Sequence, residues 1–172
     1  MGVTREQFIE AFRSSGHELW LVGGALRDRL LGLDSKDLDY STDADPDAIE
    51  AIAGALGAPV TTVGKRFGTI GAKKGDRIYE ITTHRTESYT PDSRKPDVVF
   101  GDAIEGDLSR RDFTVNAMAL ELTTGSPTLV DPFGGAADLM GKRLRTPMAP
   151  ELSFADDPLR MLRAARFLSG LQ

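Results

Sequence analysis

Two aspartates, Asp37 and Asp39, stand two residues apart in Asp34-Ser-Lys-Asp-Leu-Asp-Tyr40. On a strand, residues i and i+2 point to the same face, so the two carboxylates can converge on one point. Carboxylates that close repel each other unless a cation lies between them. Just upstream, Leu21-Val-Gly-Gly-Ala-Leu-Arg-Asp-Arg-Leu-Leu-Gly32 sets Gly23 and Gly24 where an apolar run gives way to a helical rhythm. Backbone amides at a helix start attract anions, and Arg27 follows one turn later. The spacing therefore predicts phosphate at the glycines and a metal at the aspartates, although a plain tight turn would also explain the glycine pair. Hard carboxylate oxygens beside phosphate suit Mg2+, which keeps waters and phosphate oxygens in its other positions. Glu80, in Tyr79-Glu-Ile-Thr82, can join as a further acid or stand as a solvated or salt-bridged strand residue.

Two other stretches carry charge in a pattern. Arg110-Arg-Asp-Phe-Thr-Val-Asn-Ala-Met-Ala119 reads as an amphipathic helix that packs Phe113, Val115 and Met118 and leaves its arginines to solvent. With a nucleotide present, Arg111 would fork onto a phosphate, and Asp112 or Asn116 would bond a ribose hydroxyl. In Asp157-Pro-Leu-Arg-Met-Leu-Arg-Ala-Ala-Arg-Phe-Leu, residues Arg160, Arg163 and Arg166 share one broad helix face, while Leu159, Leu162 and Phe167 supply apolar contacts. That face is either solvated or set toward an anion. Gly64-Lys-Arg-Phe-Gly68 lacks the spacing and the Ser/Thr of a P-loop, and no Gly-x-Gly-x-x-Gly occurs.

The elements that must position these residues follow from local signals. Leu19 to Val22 reads as a short buried strand entering the glycine turn, and Gly32 stops the helix that follows. Thr4 caps a first helix with Phe8, Ile9 and Phe12 as its apolar stripe, ended by Gly16. Asp45-Pro-Asp opens another, ended by Gly57 to Pro59. Strands are expected over Val60 to Val63, Phe67 to Ala72 and Arg77 to Thr82, with a hairpin turn at Lys74-Gly-Asp76. Residues 83–102 are polar and carry two prolines, as expected of a functional or disordered loop. Helical character returns from Asp107 to Leu120, then a strand at Pro127 to Val130, then Asp131-Pro-Phe-Gly-Gly135 turning into a short helix. A last helix starts at Asp157 with Pro158 in its first position. The class is α/β (α+β): a mixed sheet flanked by helices, then a helical segment.

The totals set the limits. At 172 residues, 40% apolar and 27% charged, the chain has the composition of a soluble domain with a real core. It has no cysteine, which excludes disulfides, thiol catalysis and cysteine zinc sites, and its two histidines, His17 and His84, argue against a histidine-rich metal centre. No signal core or membrane-length apolar run appears, so a cytoplasmic protein with no membrane partner is expected. A net charge of −5 argues against a surface that grips nucleic acid all round. The balance reverses locally after residue 141, where Lys142, Arg143, Arg145, Arg160, Arg163 and Arg166 outnumber Glu151, Asp156 and Asp157.

Together these stretches resemble one family. Gly23-Gly-Ala-Leu-Arg-Asp28 with Asp37-Leu-Asp-Tyr40 resembles motif A of class II tRNA nucleotidyltransferases (CCA-adding enzymes) and the related bacterial poly(A) polymerases. Arg110 to Ala119 resembles motif B, Asp131 to Gly135 a further signature, and Asp157 to Phe167 motif C, in the family's order. The resemblance implies a polymerase-β-like nucleotidyltransferase head with a mixed five-stranded sheet over residues 1–145, then the start of a truncated helical neck over 146–172. By that match Asp37 and Asp39 would be the catalytic magnesium ligands, and Gly23, Gly24 and Arg27 would contact the incoming triphosphate. Arg111, Asp112 and Asn116 would hold the nucleotide, and Asp157, Arg160, Arg163 and Arg166 would complete the triphosphate and neck contacts. The polar segment 83–102 matches the loop implicated in the change from adding C to adding A.

The implied reaction is two-metal nucleotidyl transfer. A tRNA 3′-hydroxyl attacks the α-phosphate of CTP or ATP, pyrophosphate leaves, and CCA is built without a template. Poly(A) addition and partial CC- or A-addition share these motifs. A non-catalytic nucleotide-binding module and a small-molecule nucleotidyltransferase are further readings. In the family an acid–arginine pair in the neck chooses the base, and none follows motif C before Gln172. The chain thus reads as an N-terminal fragment that binds nucleotide weakly and catalyses little, with tRNA held mostly by segments beyond it.

Overall fold

A three-residue strand, β1 (Trp20–Val22), separates two hydrophobic clusters. Alternate side chains leave a strand on opposite faces, so Leu21 joins the larger cluster and Trp20 and Val22 the smaller. The computed structural model describes residues 4–35, 37–74, 77–88, 97–100 and 103–170. The further strands are β2 (Asp37–Thr42), β3 (Val60–Thr61), β4 (Thr69–Lys74), β5 (Arg77–Thr83), β6 (Arg85–Ser88), β7 (Asp97–Phe100), β8 (Ala119–Glu121) and β9 (Leu129–Val130). Seven of them form a sheet in the order β3-β4-β5-β2-β1-β8-β9, while β6 and β7 pair as a separate antiparallel ribbon. Only the β2–β5 pairing in the sheet is parallel. The five strands implied by resemblance thus become seven, the two edge strands β3 and β9 being only two residues each.

The helices are α1 (Arg5–Ser14), α2 (Gly23–Leu30), α3 (Pro46–Ala55), α4 (Ile104–Ser109), α5 (Gly135–Met140), α6 (Pro150–Asp156) and α7 (Leu159–Gly170). Thr4 caps α1 in a capping box with Gln7, and Asp45 caps α3 with Pro46 behind it, as their sequences predict. Phe8 and Phe12 of α1 and Ile49, Ile52 and Ala53 of α3 pack on the face carrying Leu21, Tyr40, Tyr79 and Ile81. Tyr79 meets Phe8 and Tyr40 edge to face, with ring centroids 5.6 and 5.7 Å apart. On the other face Ile104 and Leu108 of α4 cover Trp20, Val22 and Ala119.

Three sequence expectations need revision or fall outside the described residues. Asp107 to Leu120 is not one helix: α4 ends at Ser109, a single 3-10 turn spans Thr114–Asn116, and Ala119 already begins β8. Phe113, Val115 and Met118 are nevertheless buried, as expected. Helix α6, absent from the expected elements although Pro150 and Glu151 stand in its first turn, precedes the helix that begins near Asp157. Residues 75–76 of the expected hairpin turn and residues 89–96 and 101–102 of the expected loop lie outside the described residues; residues 85–88 and 97–100 of that loop are instead the paired strands β6 and β7. Among the described residues, no helix is long and apolar enough to cross a membrane.

Candidate active site

Helix α2 leaves β1 with no connecting loop. Val22 occupies the capping position and its side chain satisfies no amide, so the first-turn N–H groups are left to an anion. The turn requires glycine at its first residue, for Gly23 has φ +63°. A Cβ there would lie 3.0 Å from Arg111 Nη1 and 3.3 Å from Asp39 Oδ2. Residues from a helix start, a strand and a loop some ninety positions away thus meet at one point.

Asp39 lies in the middle of β2, opposite the face that carries Tyr40 into the core. The parallel register sets Glu80 of β5 directly beside it, and Asp37 shares that face at the exposed start of β2. Burial raises the Asp39 carboxyl above its ordinary pKa, Arg111 pulls it down, and Glu80 and Asp37 push it up again. Such a carboxylate gains from a neighbouring cation. Among the described residues, no group of three acids or histidines could enclose a metal ion unaided. Glu80 therefore completes no three-acid cluster. Asp37 and Asp39 could offer two carboxylates to a divalent cation, whose remaining positions would fall to water and phosphate.

A cleft of about 410 Å³ opens over this point. Gly23, Gly24 and Asp39 contribute from the sheet and α2; Arg110, Arg111, Asp112 and Asn116 from the segment after α4; Asp157, Arg160 and Arg163 from the approach to α7 and the helix itself. Arg85, at the start of β6, also lines it. Five arginines face three aspartates, so the cleft is cationic. The Arg111 Nε is buried and has no hydrogen-bond partner. A buried donor left unmatched is costly unless a ligand supplies the acceptor. A larger groove of about 760 Å³ lies between α1 and the segment after β8, but none of the signature residues line it. The smaller cleft is the chemical one.

The supporting bonds explain the sequence spacing. Asp112 Oδ1 accepts from the Phe113 amide at 2.8 Å and from Asn116 Nδ2 at 3.1 Å. Asn116 Oδ1 in turn accepts from Arg27 Nη1 at 2.9 Å. Arg27 also donates to Asp28 and lies 5.2 Å from the centre of the Phe167 ring, so it stands behind Asn116 instead of on the cleft wall. Arg160 is buried; it donates to Ser153 Oγ at 2.7 Å and to the Arg110 carbonyl at 2.7 Å, joining α7 to the segment after α4. Asp157 Oδ1 accepts from the Leu159 amide at 3.0 Å, the expected cap. Arg163 Nη1 lies 3.7 Å from Asp112 Oδ2.

Of the residues singled out by sequence, the cleft gathers Gly23, Gly24, Asp39, Arg111, Asp112, Asn116, Asp157, Arg160 and Arg163. Asp37 and Glu80 lie on the same sheet face outside its lining, Arg27 is one bond removed, and the exposed Arg166 does not line it. Arg85 and Arg110 were not singled out as ligands. Arg110 stood in plain view beside Arg111, whereas a lone arginine after a strand offers no signal at all.

A mixed sheet that presents a carboxylate beside a cap-free helix start, under an arginine cleft, defines a nucleotidyltransferase-type head domain. The chain belongs to the poly A polymerase head domain family, whose model matches residues 19–145. It is 45% identical over 158 residues to a CCA-adding enzyme of Bacillus subtilis, covering 91% of this chain and 38% of that relative. It superposes with a TM-score of 0.80 and 37% identity on the Bacillus stearothermophilus CCA-adding enzyme in complex with CTP, covering 94% of this chain and 37% of that one. A tRNA nucleotidyltransferase complexed with a primer tRNA and an incoming ATP analogue matches with a TM-score of 0.77 and 34% identity, covering 93% of this chain and 44% of that one. The chain spans about two-fifths of the length of the curated relatives it matches.

Proposed function

We propose that the protein is a template-independent RNA nucleotidyltransferase that adds C and A from CTP and ATP to the tRNA 3′ end. The meeting of Asp39, Gly23 and Arg111 at one point carries this reading, because it sets a carboxylate, an anion-binding helix start and a forked cation together in one cleft of about 410 Å³. The relatives named above, as CCA-adding enzymes, support the tRNA end as substrate. In this scheme the α2 amides and the arginines bind and orient the triphosphate. Arg111, whose Nη1 reaches the space beside Gly23, donates to a phosphate oxygen. Asp112, held by Asn116, meets the ribose or keeps Arg163 in place. Asp37 and Asp39 would hold Mg2+, a hard cation suited to their oxygens. When bound, the metal lowers the pKa of the attacking hydroxyl and offsets charge built up in the transition state. No side-chain general base is needed.

The family match ends at residue 145, which supports reading 1–145 as the head and 146–172 as the opening of a helical neck. Soluble tRNA and nucleotide substrates fit a cytoplasmic protein. Poly(A) addition is the second reading, favoured by the family's own description. The full-length protein, offered tRNA lacking its 3′ end with CTP and ATP separately and together, is expected to add CC with CTP and CCA with both. Long A tracts from ATP alone would instead establish the second reading. Asp37→Ala together with Asp39→Ala should abolish incorporation; substantial residual addition would sink the metal assignment.

A further inference from the structure

Asp107, in α4, has no part in the reaction just outlined, yet it is completely buried. Its Oδ1 accepts from Arg110 Nη2 at 2.7 Å and from Arg110 Nε at 3.1 Å. Its Oδ2 accepts from Arg111 Nη2 at 2.8 Å. One carboxylate thus grips two consecutive arginines, and both line the cleft. Burial alone would raise the Asp107 pKa, but the charges and hydrogen bonds of Arg111 and Arg110 hold it down at about 2.

The direction of that grip matters. Arg111 Nη1 and Asp39 Oδ2 both reach the space beside Gly23, so a relaxed Arg111 side chain could close onto Asp39 as an ion pair. Its ion pair goes instead to Asp107 of α4. Asp39 is then left to take a cation, while the Arg111 Nε stays buried without a hydrogen-bond partner. Arg160 bonds the Arg110 carbonyl, so the same anchor also registers α7 against the cleft.

We propose that Asp107 is a positioning residue for the triphosphate site, holding Arg110 and Arg111 on the cleft wall and keeping Arg111 off Asp39. The inference rests on the nucleotidyl-transfer reading of this cleft. A carboxylate in this place is a requirement of geometry as well as of charge: asparagine removes the charge, and glutamate keeps it but displaces it.

The test uses the full-length protein with Asp107→Asn, Asp107→Glu and, as a control on the exposed side of the same helix, Glu105→Gln. Steady-state addition of CTP and ATP to tRNA is measured against nucleotide and against Mg2+, alongside calorimetric binding of CTP with Mg2+. For Asp107→Asn, a KM for both nucleotides at least tenfold higher is expected, with a raised half-saturating Mg2+ and a smaller change in kcat. Asp107→Glu should fall between it and wild type, and Glu105→Gln should match wild type. A purely structural role predicts lower stability with KM and Mg2+ dependence within twofold, and that result overturns the proposal. If Asp107→Asn does not fold, wild-type kinetics in Asp107→Glu overturn it equally. A wild-type protein that binds CTP but never transfers it refutes the transfer reading alone, and the calorimetric affinities then decide the role of Asp107. Absence of both binding and transfer in wild type overturns both.

Discussion

At the scale of single residues, the site depends on what is missing at Gly23. Any side chain there meets two obstacles: φ of +63°, and the Arg111 and Asp39 side chains at 3.0 and 3.3 Å. The backbone strain of a non-glycine residue costs about 1–3 kcal/mol. The steric obstacle is directed at the chemistry, since relief requires Arg111 or Asp39 to shift by a few tenths of an ångström. Gly23→Ala is therefore expected to lower the melting temperature by roughly 2–12 °C while reducing nucleotide addition by about a hundredfold, the scale of loss set by small misplacements. Parallel thermal scans and steady-state assays check this. Equal losses in the folded fraction and in activity would show that the site geometry is not what Gly23 protects. Gly24 makes a useful contrast, because the nearest atom a Cβ there would meet is Arg27 Nη2 at 3.5 Å, an ordinary contact.

At the scale of elements, α5 is fixed by a closer approach still. A Cβ on Gly135 would fall 2.1 Å from the Thr114 carbonyl oxygen and 2.9 Å from Met118 Cγ, and the first of these is backbone that cannot rotate away. Asp131 sets the helix start by accepting from the Gly135 and Ala136 amides at 2.6 and 2.9 Å, and Thr114 Oγ1 donates to Asp138 Oδ2 at 2.7 Å. Gly135→Ala must push α5 off the 3-10 turn that contains Asn116. A loss of about 1–3 kcal/mol from overpacking is expected, with weaker nucleotide binding because the Asn116–Asp112 bond moves with the turn. Urea unfolding with a CTP titration checks both parts; intact stability would mean the turn yields freely. The same region marks where the sequence was legible. Caps at Thr4 and Asp45, the stop at Gly32 and the same-face pairing of Asp37 and Asp39 are local effects, and each stands as read. The motif B stretch was misread as helix because tertiary bonds take over there. Asp112 accepts from the next amide, β-branched Thr114 and Val115 resist helix, and the Thr114 amide donates to the Arg145 carbonyl at 2.8 Å. No window of sequence around residue 114 contains Arg145. The convergence of the cleft is of the same kind: the residue types were readable, but the contact between Gly23 and Arg111 exists only once the sheet is assembled.

For the molecule as a whole, the two faces of the sheet are held differently, and this sets its response to acid. The α1 and α3 face is an apolar cluster, whereas between α4 and the sheet lies a buried polar seam of Ser41, His84 and Asp107. Ser41 Oγ and His84 Nδ1 share a hydrogen bond of 2.8 Å, and His84 Nε2 has no hydrogen-bond partner, with Glu18 Oε2 3.9 Å away. Burial lowers the His84 pKa below its ordinary 6.5; Asp107, Glu18 and Asp43 favour its proton, and Arg111 opposes it. The unfolded chain therefore binds the extra proton more readily. His84 contributes stability that is complete above pH 6.5 and lost as pH falls through its depressed folded value. Asp107 acts lower down, its contribution present above its ordinary 3.8 and lost as pH falls toward about 2. At 1.36 kcal/mol per pKa unit that second step is worth about 2 kcal/mol. Acid should thus loosen the α4 face in two stages, the first well before the carboxylates of the site are neutralised. Urea midpoints at pH 7.5 and 5.5 should differ in wild type and differ less in His84→Gln, which keeps an acceptor for Ser41 but cannot take the charge. Below pH 4 the two proteins should lose stability in parallel, because Asp107 is unchanged in both. Identical slopes between pH 7.5 and 5.5 would mean that His84 is protonated in the fold without cost, and the seam would then have to accommodate that charge.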